Sequence, residues 1–180
     1  MSTQEVLQAL REGALLVTVN NRLARHWRGQ FTQAATAERA LWNAPQILPW
    51  GAWLRRLWDE ASWLDADAPL LLDASQAALV WQKIIERDDA PLLQARATAR
   101  LAQDAWRLAQ DWQISMPFNA QVDALECDED VLHFQLWAET FAAECTKRGW
   151  LDEARLSAAL LDALAAGSMV LPARVLLLGF

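Results

Sequence analysis

The N-terminal third of the chain alternates between short apolar runs and longer segments in which apolar side chains recur every three or four positions. Residues 15–19 form a mostly apolar run that predicts a buried strand. Apolar side chains then lie four positions apart over residues 23–31, which predicts a helix that buries one face. Residues 46–48 suit a second strand, and a helix whose apolar stripe begins at Trp50 follows at once. The pattern predicts a strand–helix–strand–helix segment.

Strand signals disappear after about residue 65, and four helical stripes follow. The side chains expected to be buried in these helices are, in chain order, Ala77, Val80, Trp81, Ile84 and Ile85; Leu93, Ala97, Leu101, Ala105, Leu108 and Trp112; Phe134, Trp137, Ala138, Phe141 and Cys145; and Leu156, Leu160 and Leu164. A helical block between sheet-forming segments indicates an insertion into an α/β domain. We therefore predict an α/β part at residues 1–64 and 168–180, interrupted by a helical part at residues 65–167.

Residues 175–178 are aliphatic without interruption, a pattern typical of a strand that is buried on both faces of a parallel sheet. We expect this strand to lie beside the strand at residues 15–19 and parallel to it, although the two are far apart in sequence. Because chain ends are usually exposed and polar, an apolar run so close to the last residue indicates the N-terminal piece of a longer protein.

The composition is that of a globular protein, since 54% of the 180 residues are hydrophobic and 22% are charged. The net charge of -7 argues against general attraction to nucleic acid, although it leaves room for a local basic patch. Two cysteines without metal-ligand spacing indicate a reducing compartment. The sequence contains neither a signal-peptide pattern nor an apolar run long enough to span a bilayer. We expect a cytoplasmic protein with no membrane partner.

Eleven tryptophans and no tyrosine are spread along the chain. Aromatic rings of this size either fill helix contacts in a core or stack on the bases of single-stranded nucleic acid. Most of these tryptophans fall on the apolar helical stripes, which favours the core interpretation.

The turn between the first strand and its helix stands where nucleotide-binding folds place a phosphate loop. Its residues are Asn20, Asn21 and Arg22, without the glycines and the lysine of the G-x-x-x-x-G-K-[ST] pattern. Such a backbone does not wrap phosphates and leaves their charge without a lysine, so we expect no ATP hydrolysis. Together with Arg25 and Arg28, these side chains could instead bind an anion such as a DNA phosphate. The alternative is a solvated basic face beside a capped turn.

The sequence shows no recognisable catalytic or metal-binding constellation. His26 and His133 are the only histidines, and neither stands in a metal-type cluster with cysteines or carboxylates. The acidic pairs lie at expected helix ends or on solvated faces, without the D…E-x-K spacing of metal-dependent nucleases. We expect no catalytic residue, no metal and no cofactor in this part of the protein.

The Asn-Asn-Arg turn and the Leu-Ala-Arg that follows it carry a family resemblance. Residues 17–25 resemble the N-terminus of AddB-like or RecB-like bacterial DNA repair proteins. Residues 47–54 are similar to the second strand and helix of that group, and residues 71–85 to the start of its helical subdomain. Residues 172–180 are similar to the strand that leads into the acidic magnesium-binding motif of active helicases.

The resemblance implies an α/β but predominantly helical chain: a P-loop-NTPase-like or helicase-like parallel sheet with a degenerate phosphate loop and an inserted helical subdomain. It also implies that a PD-(D/E)XK nuclease domain follows further along, which would make the full-length protein an exonuclease.

The resulting hypothesis is a helicase-like scaffold without ATPase activity, belonging to a DNA repair protein of the helicase–nuclease type. Its expected partners are single-stranded DNA, bound weakly, and a partner helicase–nuclease subunit. The alternative hypothesis is a helical adaptor that binds another protein and does not touch DNA.

Overall fold

The computed structural model describes residues 2–37, 43–63, 65–88, 94–114 and 129–180. Its α-helices are α1 (Thr3–Arg11), α2 (Asn21–Ala37), α3 (Trp50–Ser62), α4 (Ala74–Ile85), α5 (Ala95–Asp111), α6 (Glu129–Arg148) and α7 (Leu156–Ala165). Its strands are β1 (Leu15–Thr18), β2 (Ile47–Pro49), β3 (Leu70–Leu71), β4 (Trp150–Leu151) and β5 (Val175–Leu178), and a 3-10 turn spans Glu153–Arg155. The described chain is mostly helical with a small parallel sheet, which agrees with the expectation of an α/β, predominantly helical chain.

Contacts divide the chain into two compact units. The first consists of Met1–Leu64 and Leu160–Phe180, and the second of Asp65–Ala159. The chain therefore leaves the first unit near residue 65 and returns to it within α7. Within the described part of the chain, no helix combines the length and the apolarity that crossing a membrane requires.

The first unit contains a three-stranded parallel sheet in the order β2–β1–β5. Leu16, in the middle of β1, is paired with Ile47 on one side and with Leu176 on the other. All four residues of β1 are buried. The parallel pairing of β1 with β5 confirms the neighbour relation predicted from the sequence.

The apolar side chains of α1 and α2 cover this sheet and form the core of the first unit. The core residues are Val6, Leu10, Leu16, Ala24, Phe31 and Ile47, with Leu176 and Leu178 of β5 packed against them. The expectation that β5 is buried on both faces is wrong, because Leu177 is 57% exposed. Successive strand residues point to opposite faces, so Leu177 points away from the side that α1 and α2 cover.

In the second unit, α4, α5 and α6 pack around an aromatic core. Trp81 stacks on Phe141 with ring centroids 4.5 Å apart, and Trp106 meets the same phenylalanine edge-on at 5.9 Å. The stripes predicted for α4 and α6 are confirmed as core faces.

The expectation that strands stop after residue 65 is wrong, since β3 and β4 pair in parallel. Each has only two residues, too few to leave a periodic pattern in the sequence.

Helix α5 buries a different face from the one that its sequence pattern favoured. Its buried residues are Ala99, Ala102, Trp106 and Ala109. By contrast, Leu101, Leu108 and Trp112 are 71%, 56% and 74% exposed, while Leu93 lies outside the described residues. The alanines let neighbouring helices approach closely and Trp106 fills the remaining space. Close packing rather than the largest aliphatic side chains therefore decided which face is buried.

The core interpretation of the tryptophans holds for some of them. Trp58, Trp81, Trp106 and Trp137 are buried, whereas Trp50, Trp63 and Trp112 are exposed, and Trp42 lies outside the described residues. The stripe predicted for α7 is also only partly right, because Leu156 and Leu160 are buried but Leu164 is exposed. The exposed tryptophans and Leu164 lie at or near helix ends, where fewer neighbouring elements cover a side chain.

Candidate nucleic-acid interface

The carboxyl edge of the three-stranded sheet brings together three segments that are far apart in sequence. Thr18 ends β1 opposite Pro49 of β2 and Leu178 of β5. The turn that begins α2, the Trp50 that begins α3 and the residues that follow β5 therefore share this edge. Since α2 and α3 both begin here, their free backbone N–H groups provide a partial positive charge that favours an anion.

The turn between β1 and α2 is short, and its polar groups are used within the fold. Val19 donates its backbone N–H to the carbonyl of Leu178 at 3.1 Å. The side-chain oxygen of Asn20 accepts the backbone N–H of Leu23 at 2.9 Å, as a helix N-cap does. Only Val19 and Asn20 separate β1 from α2. The G-x-x-x-x-G-K-[ST] loop is several residues longer than this, so the turn lacks both the length and the residues of a phosphate loop.

Gly179 lies tightly against this turn. It adopts a φ of +87°, and a Cβ atom at this position would lie 2.8 Å from Cδ2 of Leu23 and 3.0 Å from Cγ1 of Val19. A positive φ and so close an approach both favour glycine. Apolar side chains therefore fill the space above the turn.

The structure gives the three candidate arginines of α2 different environments. A spacing of three residues keeps them on one flank of the helix. Arg28 donates from its guanidinium to the carbonyl of Ile47 at 2.6 Å, which ties α2 to β2. Arg22 and Arg25 are exposed and have no hydrogen bond or ion pair within the described part of the chain. Asn21, the first residue of α2, is exposed beside them. Arg22 and Arg25 are therefore the two arginines of this set that are available to a ligand.

The charge around this edge is opposite in sign to that of the whole chain. Helix α2 has three arginines and no acidic residue. These three arginines belong to a chain of net charge -7. This clustering was visible in the sequence, and it marks a local positive patch that the net charge conceals.

Two aromatic rings at the same edge were not singled out by sequence reasoning. Trp50 is 38% exposed and Phe180 67% exposed, and their ring centroids lie 5.6 Å apart in an edge-on arrangement. Trp53 packs against Trp50 on the other side at 5.4 Å. The signal that could have found Trp50 is its position directly after a strand, because such residues collect at the carboxyl edge of a parallel sheet.

His133 is not isolated, as the sequence suggested, but belongs to a small polar cluster in the second unit. Its Nδ1 lies 3.0 Å from a carboxylate oxygen of Asp88, and this oxygen also accepts the indole N–H of Trp137. No hydroxyl or thiol is hydrogen-bonded to the imidazole among the residues described. The cluster therefore joins the chain after α4 to α6 and contains no activated nucleophile.

Cys145 is fully buried, and burial raises the pKa of its thiol to about 11. The thiol is therefore protonated at neutral pH and is a poor nucleophile. Within the described ranges, no group of three histidine, cysteine or carboxylate side chains is arranged to hold a metal ion.

The second unit also contains a small cavity of about 60 Å³ beside Trp81, Trp106 and Asp152. Asp152 is buried, and its carboxylate accepts the indole N–H of Trp106 at 3.0 Å and the guanidinium of Arg155 at 2.7 Å. Ligand pockets usually measure about 300–1,000 Å³, so this space suits water rather than a substrate.

Neither a protein-family model nor a curated protein matches the chain.

Proposed function

We propose that this chain is a helicase-like scaffold without ATPase activity, that it belongs to a DNA repair protein of the helicase–nuclease type, and that it guides single-stranded DNA. The observation that carries the proposal is the combination, at one sheet edge, of unpaired arginines at a helix amino end with exposed aromatic rings. Single-stranded nucleic acid is bound by such combinations, because basic groups follow the backbone while rings stack on bases.

In this proposal Arg22 and Arg25 contact phosphates, and the amino end of α2 adds its partial positive charge. Trp50 and Phe180 offer faces on which bases stack without regard to sequence. Arg28 positions α2 through its hydrogen bond to β2 and contributes little to binding. The net charge of -7 opposes binding, so we expect the affinity for DNA to be weak. Packing against a partner helicase–nuclease subunit would strengthen the assembly.

The turn between β1 and α2 supports the proposed lack of ATPase activity. Two residues between β1 and α2 cannot cradle a triphosphate, and the Leu23 side chain fills the space above them. We expect no measurable binding of ATP–Mg²⁺ by calorimetry at millimolar nucleotide, and a dissociation constant in the micromolar range would contradict this part of the proposal.

The test is a fluorescence-anisotropy titration of the chain with a labelled single-stranded oligonucleotide at several salt concentrations. Each neutralised phosphate contributes a slope of roughly −0.7 in log K against log salt. The Arg22→Ala/Arg25→Ala variant should weaken binding and flatten the slope by roughly 1.4. The matched control is Arg56→Ala/Arg148→Ala, which removes the same charge from arginines that are already paired with Glu60 and Glu144. This control should leave the slope unchanged.

Trp50→Ala tests the aromatic contribution separately. It should lower the affinity by about 1–3 kcal/mol while leaving the salt slope intact, because stacking releases no counterions. Trp50→Phe should restore part of the loss. The adaptor hypothesis predicts no salt-dependent binding by the parent, and that result would exclude the DNA-guiding role.

A further inference from the structure

The exposed face of α5 has the composition of a helix interface. Leu101, Ala105, Leu108 and Trp112 are all exposed and follow one another at spacings of four, three and four residues. This 3.5-residue period places them in a single seam along the helix, as in paired helices. The opposite side of α5 already supplies the core of the second unit, so the helix is apolar on two faces.

A row of charges runs along one edge of this seam. Arg100, Asp104, Arg107 and Asp111 alternate in sign along one flank of α5, and all four are exposed. Within the chain, Asp104 and Arg107 form an ion pair of 2.9 Å that is largely solvated, and such pairs contribute little. Both side chains are therefore free to exchange partners.

We propose that this seam pairs with the same seam of a second copy of the chain, with the two helices antiparallel. The alternating charges of the flank favour the antiparallel orientation. Read in reverse, the order plus, minus, plus, minus becomes minus, plus, minus, plus, so each charge of one α5 faces an opposite charge of the other. In a parallel pair, this flank would instead face the other flank of the partner helix, where Ala102 and Ala109 are buried in the core, and the charges would find no partners.

The apolar seam also fits its own reversed copy. With Leu101 opposite Trp112 and Ala105 opposite Leu108, a small side chain leaves room for a large one at the centre. The same patch is used by both partners, as a two-fold symmetric interface requires. One helix face buries less than the roughly 1,200–2,000 Å² of a stable interface, so the dimer should be weak. This inference does not depend on the proposed DNA-guiding role.

The experiment is sedimentation velocity of the full chain from low micromolar to submillimolar concentration. The parent should shift from monomer to dimer. The Leu101→Glu/Leu108→Glu variant should remain monomeric over the same range. The matched control is Leu79→Glu/Leu132→Glu, which places the same charges at exposed leucines of α4 and α6 and should dimerise as the parent does. A parent that stays monomeric, or a seam variant that still dimerises, would overturn the proposal.

Charge-swap variants keep the test valid even if the glutamates disturb folding. Arg100→Asp/Arg107→Asp makes the flank entirely acidic, and Asp104→Arg/Asp111→Arg makes it entirely basic. Each variant alone should self-associate at least about tenfold more weakly than the parent, whereas an equimolar mixture should recover the dimer. A mixture that associates no better than its components would refute the charge pairing.

Cysteine cross-linking tests the orientation. In a Cys127→Ser background, Arg100→Cys and Asp111→Cys proteins should form a mixed disulfide dimer in preference to either symmetric dimer. The buried Cys145 should not compete. A mixed disulfide that forms no more readily than the two symmetric ones would contradict the proposed arrangement.

Discussion

Helices α2 and α5 each contain 17 residues, but they differ in how much of their apolar surface the fold covers. Helix α2 has one apolar stripe, and Ala24 and Phe31 of this stripe are buried against the sheet. Helix α5 has two apolar faces, of which the one containing Trp106 is buried and the one containing Leu108 is exposed. A helix with one apolar stripe can bury its apolar surface in only one orientation. A helix with two apolar stripes can bury either one, and packing against the neighbouring elements determines which.

The two helices also differ in what their uncovered sides offer. The free flank of α2 carries arginines and no acidic side chain, which suits a phosphate. The free flank of α5 carries an apolar seam edged by charges of both signs, which suits another helix. The proposed nucleic-acid contact thus lies on the first unit, and the proposed contact with a second copy lies on the second unit.

The largest expected effect concerns the two faces of α5. Trp106→Ala should lower the free energy of unfolding by about 3–5 kcal/mol, because it opens a cavity beside Phe141 and removes a hydrogen bond to Asp152. Leu108 lies two residues away but is exposed, so Leu108→Ala should change the free energy of unfolding by less than about 0.5 kcal/mol. Guanidinium denaturation at low protein concentration measures both, and equal losses would show that the exposed face is in fact covered.

A smaller effect should separate the arginines of α2. Arg28→Ala should cost about 1–2 kcal/mol of unfolding free energy, since the carbonyl of Ile47 loses a charged donor. Arg22→Ala should leave stability nearly unchanged, because no described residue is bonded to it. Thermal or chemical unfolding of the two variants distinguishes the arginine that supports the fold from the one that is proposed to contact DNA. A large loss for Arg22→Ala would assign it a structural role instead.

The amino ends of the two helices provide the next comparison. Asn20→Ala should cost about 1 kcal/mol by removing the N-cap of α2. In α5 the N-cap position is Gln94, whose side chain makes no capping hydrogen bond. Gln94→Ala should therefore be nearly neutral, and Gln94→Asp should raise the unfolding free energy by up to about 1 kcal/mol. Circular dichroism melts are sufficient, and a destabilised Gln94→Asp variant would argue against the capping geometry.

The smallest effect concerns an exposed pair in the first unit. Hydrogen bonds from Gln8 and Arg174 hold the pKa of the Glu12 carboxyl below its ordinary value. A carboxyl whose pKa is lowered by folding stabilises the fold above its unfolded pKa, near 4.5, and loses this contribution as pH falls through the folded pKa. Arg174→Ala should raise the pKa of Glu12 in an NMR titration. The difference in unfolding free energy between the Arg174→Ala variant and the parent should disappear in acid. A difference that persists in acid would point to another cause.

Much of the fold was predictable because it depends on local periodicity. The strands near residues 15–19 and 175–178, the helical stripes of α4 and α6 and the cap-forming Asn20 follow from side-chain spacing and residue type alone. Strands β3 and β4 were not predicted, because a strand of two residues is too short to show a periodic pattern in the sequence. The cluster of His133 with Asp88 was missed because its members lie far apart in sequence.

The sequence by itself determined the longer helices and strands, the absence of glycine and lysine from the turn after β1, and the arginines near it, because each of these depends on neighbouring residues only. The tertiary structure alone decided that Trp50 and Phe180 meet beside that turn, since parallel pairing aligns the ends of three distant strands. It also decided that Arg28 is used internally while Arg22 and Arg25 remain free. The same holds for α5, whose two apolar faces have similar periodicity, so that only close packing against α4 and α6 selected the alanine face and left the leucine face exposed.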